Sequence, residues 1–137
     1  MKNKTEIIHK EIDLLQSCIT RMANNSFLIK GWTITLVSLI LTLNNNQSKF
    51  NWIVIIPILS FWYLDAFFLN KERAYRTQYD WVIKNRENTN ENLYKLNPSN
   101  FQSNEGILET IISESLLIFY GTLIALNLFI SYFILGE

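Results

Sequence analysis

Asp65 is the residue whose position asks most of its surroundings. It lies in the run Trp52–Asn70, which carries no other charge, about 9 Å from Lys71 at about 1.5 Å per helical residue. A carboxylate inside such a run costs about 2.5–3.5 kcal/mol to insert in a bilayer, so it takes a partner or faces water. Lys30 is the natural partner. It is the one charge in the neighbouring apolar run Phe27–Leu43, near the end that an antiparallel arrangement brings beside Asp65. Arg73 at the membrane interface is an alternative. The functional reading of the same carboxylate is a titratable or cation-attracting group lining a pore.

The first apolar run carries a second pattern. Gly31, Thr35, Ser38 and Thr42 recur at steps of four, three and four, one small, hydroxyl-bearing helical stripe. Small residues let membrane helices approach closely, and hydroxyls hydrogen-bond across them. The stripe is therefore expected to sit in a helix–helix contact, or to face a central axis as a polar pore lining. Gly121 and Ala125 in the last apolar run form a weaker small-xxx-small pair.

Catalytic chemistry is not expected. The single histidine, His9, sits near the N-terminus without an obvious companion and offers no plausible Ser-His-acid arrangement, and the single cysteine, Cys18, excludes a cysteine-built metal cluster. There is no glycine-rich phosphate loop. His9 reads as a surface residue, and Cys18 as a small packed residue or a lipidation site. The expectation is a protein that is not an enzyme, with no cofactor and no metal.

The elements that would position these residues are helices. The 137 residues suit a single domain. Ile8, Ile12, Leu15, Ile19 and Met22 predict an amphipathic helix within residues 1–26, with Lys10, Glu11, Asp13 and Arg21 off its apolar stripe. Asn24-Asn25-Ser26 reads as a break or a fresh cap. Residues 27–43 then predict a first span, short against the about 20 residues a bilayer core needs, with Lys30 snorkelling and Trp32 at the interface. Residues 52–70 predict a second span, kinked at Pro57, running on without a breaker into a helix past Lys71. The Asn-rich stretch 85–104 reads as a loop within the 71–115 segment. A further helix begins at Ile107 and passes through Glu109 and Glu114, and residues 116–135 predict a third span. The fold class expected is all-α and integral to a membrane.

Basic residues orient these spans. Five lie up to Lys30, one in the 44–51 loop and six in 71–115, so eleven of the twelve fall on one side. Such a bias places the N-terminus and the middle segment in the cytoplasm and the C-terminus outside. Formal net charge is zero, which argues against a nucleic-acid binder held by phosphate contacts.

Three stretches also carry a resemblance. Arg21-Met22-Ala23, Asn25-Ser26-Phe27 and Lys30-Gly31-Trp32 form the first. Phe61-Trp62, Leu64-Asp65-Ala66, Leu69, Glu72-Arg73, Arg76 and Tyr79-Asp80 form the second, and Phe119-Tyr120-Gly121 the third. Together they resemble a widespread family of small bacterial multi-span membrane proteins with no established biochemical role, over roughly residues 15–125. The order of N-terminal helix, membrane hairpin and cytoplasmic helix is also similar to SLATT-type membrane effectors of bacterial conflict systems, from which the third span departs. The resemblance implies a bacterial inner-membrane location. It also implies a charged girdle of Glu72, Arg73 and Arg76 beside Lys30 and Asp65, tying the helices together or docking a partner.

Two functions follow as expectations. One is a homo-oligomeric membrane module, a pore or membrane-perturbing effector in defence. The other is a non-conducting scaffold that recruits a cytoplasmic protein through residues 1–26 and 71–95.

Overall fold

A computed structural model describes residues 2–43, 52–101 and 106–134, with the backbone alone at Lys2 and Ile134. Every regular element among them is helical: α1 Lys2–Leu43, α2 Ile55–Asn85, α3 Ile107–Ile111 and α4 Glu114–Ile134, with a 3-10 turn at Pro98–Phe101. The 44–51 loop and the last residues of the third span lie outside the described residues.

The main framework is an antiparallel hairpin. Contacts of Glu11 with Arg86 and of Ser26 with Asp65 set α1 against α2 along most of their lengths. At about 1.5 Å per residue α1 is about 63 Å long, twice the about 30 Å of a bilayer's hydrocarbon. Half of each long helix is apolar and half charged, and in the hairpin like half meets like half.

The expected break at Asn24-Asn25-Ser26 is absent, because α1 runs through it. Asparagine and serine lower helix propensity by at most about 0.7 kcal/mol each, which packing against α2 outweighs. Ser26 turns its hydroxyl towards Asp65 instead of capping a new helix. Pro57 falls at the start of α2 and not in its middle. A 3-10 turn at residues 52–54 precedes Ile55, which puts Pro57 in the first turn of α2, where its missing N–H forfeits no intrahelical bond. The helix foreseen through Glu109 and Glu114 is instead two, α3 and α4, parted at residues 112–113.

The apolar core gathers at the hairpin's apolar half, where Val37, Val54, Ile58 and Ala66 meet Leu116 and Tyr120 of α4. Trp62 stacks on Tyr120 with ring centroids 5.5 Å apart and donates from Nε1 to the Ile111 carbonyl at 3.0 Å, satisfying an acceptor at the α3–α4 break. Three helices are long and apolar enough to cross a membrane. In their most apolar windows only 22%, 22% and 17% of residues are buried inside the molecule. Phe27, Trp32, Trp52, Ile56 and Phe133 lie largely open. A lone chain in water would leave that surface wet, and apolar patches of this extent mark a membrane or partner face.

Candidate functional site

Asp65 is fully buried, at the point where α1, α2 and α4 meet. Its Oδ2 lies 2.6 Å from Lys30 Nζ, and the Tyr120 hydroxyl donates to it at 3.1 Å. Ser26 Oγ donates to Oδ1 and itself accepts from Lys30 Nζ at 3.0 Å. The Tyr120 hydroxyl is also 3.2 Å from the Phe61 carbonyl. Each helix thus gives the node a polar side chain. The carboxylate is neutralised by an ammonium that keeps about a quarter of its side chain exposed. A charge so paired and hydrogen-bonded is tolerated in an apolar setting, whereas the isolated ion is not. The arrangement locks three helices together and leaves no carboxylate oxygen facing open space.

A second buried ion pair holds the other end of the hairpin. Arg86 Nε and Nη2 meet Glu11 Oε2 and Oε1 at 2.6 and 2.7 Å. Nη1 donates to the Thr89 and Glu91 carbonyls at 3.2 and 2.7 Å. The guanidinium also lies over the Trp81 ring, 5.4 Å from its centroid. One side chain therefore ties α1, the end of α2 and the following turn. The 92–101 stretch folds back on the same part of α2. Gln78 Nε2 donates to the Lys95 carbonyl at 2.6 Å and the Tyr75 hydroxyl to that of Leu96 at 3.3 Å. Burial, then the neighbouring Cys18, push the Tyr75 phenol above its usual range, which keeps it a donor.

The other residues singled out by sequence fall elsewhere. Glu72 and Arg76 pair with each other, Arg76 Nε and Nη2 lying 2.9 and 2.7 Å from Glu72 Oε1. That pair and the half-buried Arg73 stand about two to three turns beyond Asp65 along α2. Gly31, Thr35, Ser38 and Thr42 are all exposed, so the stripe makes no helix contact within the chain. Thr35 and Thr42 direct their hydroxyls to the Gly31 and Ser38 carbonyls of their own helix. The polar groups that do face inward from the first span are Ser26, Lys30 and Thr33, on the opposite flank.

Sequence reasoning gave no site role to Glu11, Arg86, Ser26 or Tyr120, although Ser26 and Tyr120 lie in the motifs that carry the resemblance. Glu11, expected off the apolar stripe, is buried in line with it, three residues after Ile8 and four before Leu15. That spacing is a usable signal, because a charge in phase with a buried stripe needs a partner. Cys18 is buried and His9 exposed. Among the described residues no three of His, Cys, Asp and Glu come together as a ligand set for a metal.

An open cleft of about 430 Å³ lies on the charged half of the hairpin, lined by Gln16, Ile19 and Thr20 of α1 and Arg76, Tyr79 and Asp80 of α2. At about 100° per residue Arg76 and Asp80 lie about 100–160° round the helix from Tyr75, Gln78 and Trp81, which meet the 92–101 stretch, while Tyr79 borders both sides. One flank of the hairpin is covered by its own chain and the other carries this cleft.

No family model, no curated protein and no solved structure matches the chain.

Proposed function

We propose that the chain is a three-span membrane module that acts as a non-conducting scaffold, with the charged half of the α1–α2 hairpin standing in the cytoplasm as a stalk that recruits a protein partner. The single observation carrying this reading is the closure of the Asp65 node. The one acidic side chain in the apolar half of the hairpin is consumed inside its own chain by Lys30, Ser26 and Tyr120, which leaves it no role in lining a water-filled path. The stalk is held by a buried ion pair at its far end, so it presents a fixed surface. The eleven-to-one distribution of basic residues favours an N-terminus inside and a C-terminus outside, and the resemblance to bacterial families favours the inner membrane.

Ion flux across liposomes tests it. Vesicles holding the purified protein are expected to leak no faster than empty ones, and a protein-dependent conductance would overturn the scaffold.

One observation favours a second reading, a homo-oligomeric pore or membrane-perturbing effector in bacterial defence. The hydroxyl-bearing stripe of α1 points away from the chain's own core, where several copies around an axis would turn it inward. Flux in the same vesicles, abolished by Ser38→Leu, is the result this reading requires.

A further inference from the structure

Two hydrogen bonds fix the place of α3. The Asn70 amide donates to the Thr110 hydroxyl at 3.2 Å, with both side chains buried. The Trp62 indole donates to the Ile111 carbonyl at 3.0 Å. Trp62 and Asn70 both belong to the apolar run 52–70. α3 therefore stands beside the apolar half of α2, whereas the 92–101 stretch stands beside the stalk through Tyr75 and Gln78.

Its depth follows from its neighbours. Asn70 ends the apolar run, and Lys71 follows it with its ammonium 5.7 Å from the centroid of the Phe67 ring. A lysine so placed lays its stem on apolar surface and keeps its charge at the headgroups. α4 alone rises about 32 Å, enough for the about 30 Å of hydrocarbon. α3 is thus not needed for the crossing and sits at the inner boundary.

There it turns apolar side chains outward. Leu108 and Ile112, four positions apart and so on one side, are 72% and 65% exposed. The Gly106 carbonyl accepts from the Thr110 N–H at 3.1 Å, that of Leu108 from the Ile112 N–H at 3.4 Å and that of Thr110 from the Ser113 N–H at 3.0 Å. With Trp62 on Ile111, these carbonyls are bonded within the chain, as a setting poor in water requires.

We propose that α3 is a fourth contact with the membrane, lying in the headgroup–acyl boundary of the inner leaflet with Leu108 and Ile112 among the acyl chains. The inference rests on the membrane-spanning reading above. Lipid is the occupant that the depth favours. A cytoplasmic protein would meet the stalk first, and to reach the level of Asn70 it would have to enter the headgroup layer. The exposed carboxylates of Glu109 and Glu114 hold the helix at the boundary, since they stay with the headgroups while the two apolar side chains insert. The chain is then tethered to the bilayer before its third span begins.

Single-cysteine labelling of the full-length chain in nanodiscs tests this contact. In a Cys18→Ser background, Leu108→Cys, Ile112→Cys, Ile118→Cys and Asn90→Cys each carry an environment-sensitive fluorophore. Ile118, exposed on α4, reports the span, and Asn90, exposed after α2, reports water. The labels at positions 108 and 112 are expected to lose fluorescence to phospholipids bearing a nitroxide high on the acyl chain, as the label at 118 does, and to escape quenching by aqueous iodide. The label at position 90 is expected to do the reverse.

A second measurement leaves the fluorophore out. Leu108→Asp combined with Ile112→Asp changes only exposed positions. In nanodiscs it is expected to speed hydrogen exchange several-fold over residues 107–113, because the charges pull α3 out of the acyl region, and to leave 78–94 unchanged.

Iodide quenching at 108 and 112, with lipid quenching at 118, would overturn the proposal and leave the membrane reading standing. Shielding of 108 and 112 from both quenchers would overturn it as well, because a protein surface then covers α3. Unchanged exchange in the double variant would do the same. Iodide quenching at 118 would sink the membrane reading itself.

Discussion

Glu11 and Arg86, 75 positions apart, meet through two N–H···O contacts of 2.6 and 2.7 Å, with side chains 1% and 2% exposed. The carboxylate also accepts from the Tyr94 backbone N–H at 3.3 Å, so both partners are embedded in further hydrogen bonds. The pair joins the start of α1 to the end of α2. It decides whether the charged half of the hairpin behaves as a rigid stalk or as two frayed helix ends.

Breaking this pair should loosen the stalk without disturbing the apolar half. Glu11→Gln leaves a buried guanidinium uncompensated, a loss of about 3–5 kcal/mol for such pairs. Hydrogen exchange is expected to accelerate over residues 3–20 and 78–94 and to change little over 27–43. Uniform acceleration along both helices would show that the stalk is not a separate unit.

Exchanging the two residues should not rescue them. Glu11→Arg with Arg86→Glu restores a formal pair, but a carboxylate in place of the guanidinium cannot donate to the Thr89 and Glu91 carbonyls. The double variant is expected to stay as protease-sensitive in the 86–101 stretch as Arg86→Met alone. Full recovery would mean that charge, rather than the five-donor guanidinium fork, is what the site requires.

At the other node, Lys30→Met strands a buried carboxylate and Asp65→Asn strands an ammonium. Each is expected to cost on the order of 3 kcal/mol and to lower the yield of folded protein. Together they should cost less than the sum, because the amide that replaces the carboxylate retains partners in Ser26 and Tyr120. Fully additive losses in thermal melts would show the two residues to be independent.

Trp62→Phe should act through the α3–α4 break. The ring stack on Tyr120 survives, but the Ile111 carbonyl loses its 3.0 Å donor. A loss of about 1–3 kcal/mol is expected for an acceptor left without its bond, with exchange faster over residues 107–118. A variant matching the parent in both would show that water satisfies the carbonyl.

Topology is checked by cysteine accessibility. Asn90→Cys, exposed on the turn after α2, is expected to resist an impermeant thiol reagent on intact cells and to react after lysis. Reaction on intact cells would invert the orientation drawn from the basic residues.

Much of this was legible in the chain of residues, because run length and charge placement are local. Three apolar runs, the first two with a single charge each and the third with none, announce three helices able to span a bilayer whatever surrounds them, and the structure has a helix at each. Depth is local as well. Lys30 and Asp65 occupy matching depths of antiparallel runs, which pointed to a tie before the 2.6 Å contact between them was seen. The partners that complete that node, Ser26 and Tyr120, carried no such mark, since a serine or tyrosine needs no counter-charge.

Tertiary structure decided what local preference left nearly balanced. Asn24-Asn25-Ser26 differs from good helix formers by about tenths of a kilocalorie per residue, and packing along α2 made one helix where a break was expected. Glu11 stands in phase with a stripe that reads equally well as solvated charge or buried pair until Arg86 is brought to it from 75 positions away. The hydroxyls of Thr35 and Thr42 can bond across to a neighbour or back to their own helix, and in this chain they turn back. A helical stripe records which residues share a face. Which face meets a neighbour is set by the other helices, because burial is a property of the assembled surface and not of the strand of residues that forms it.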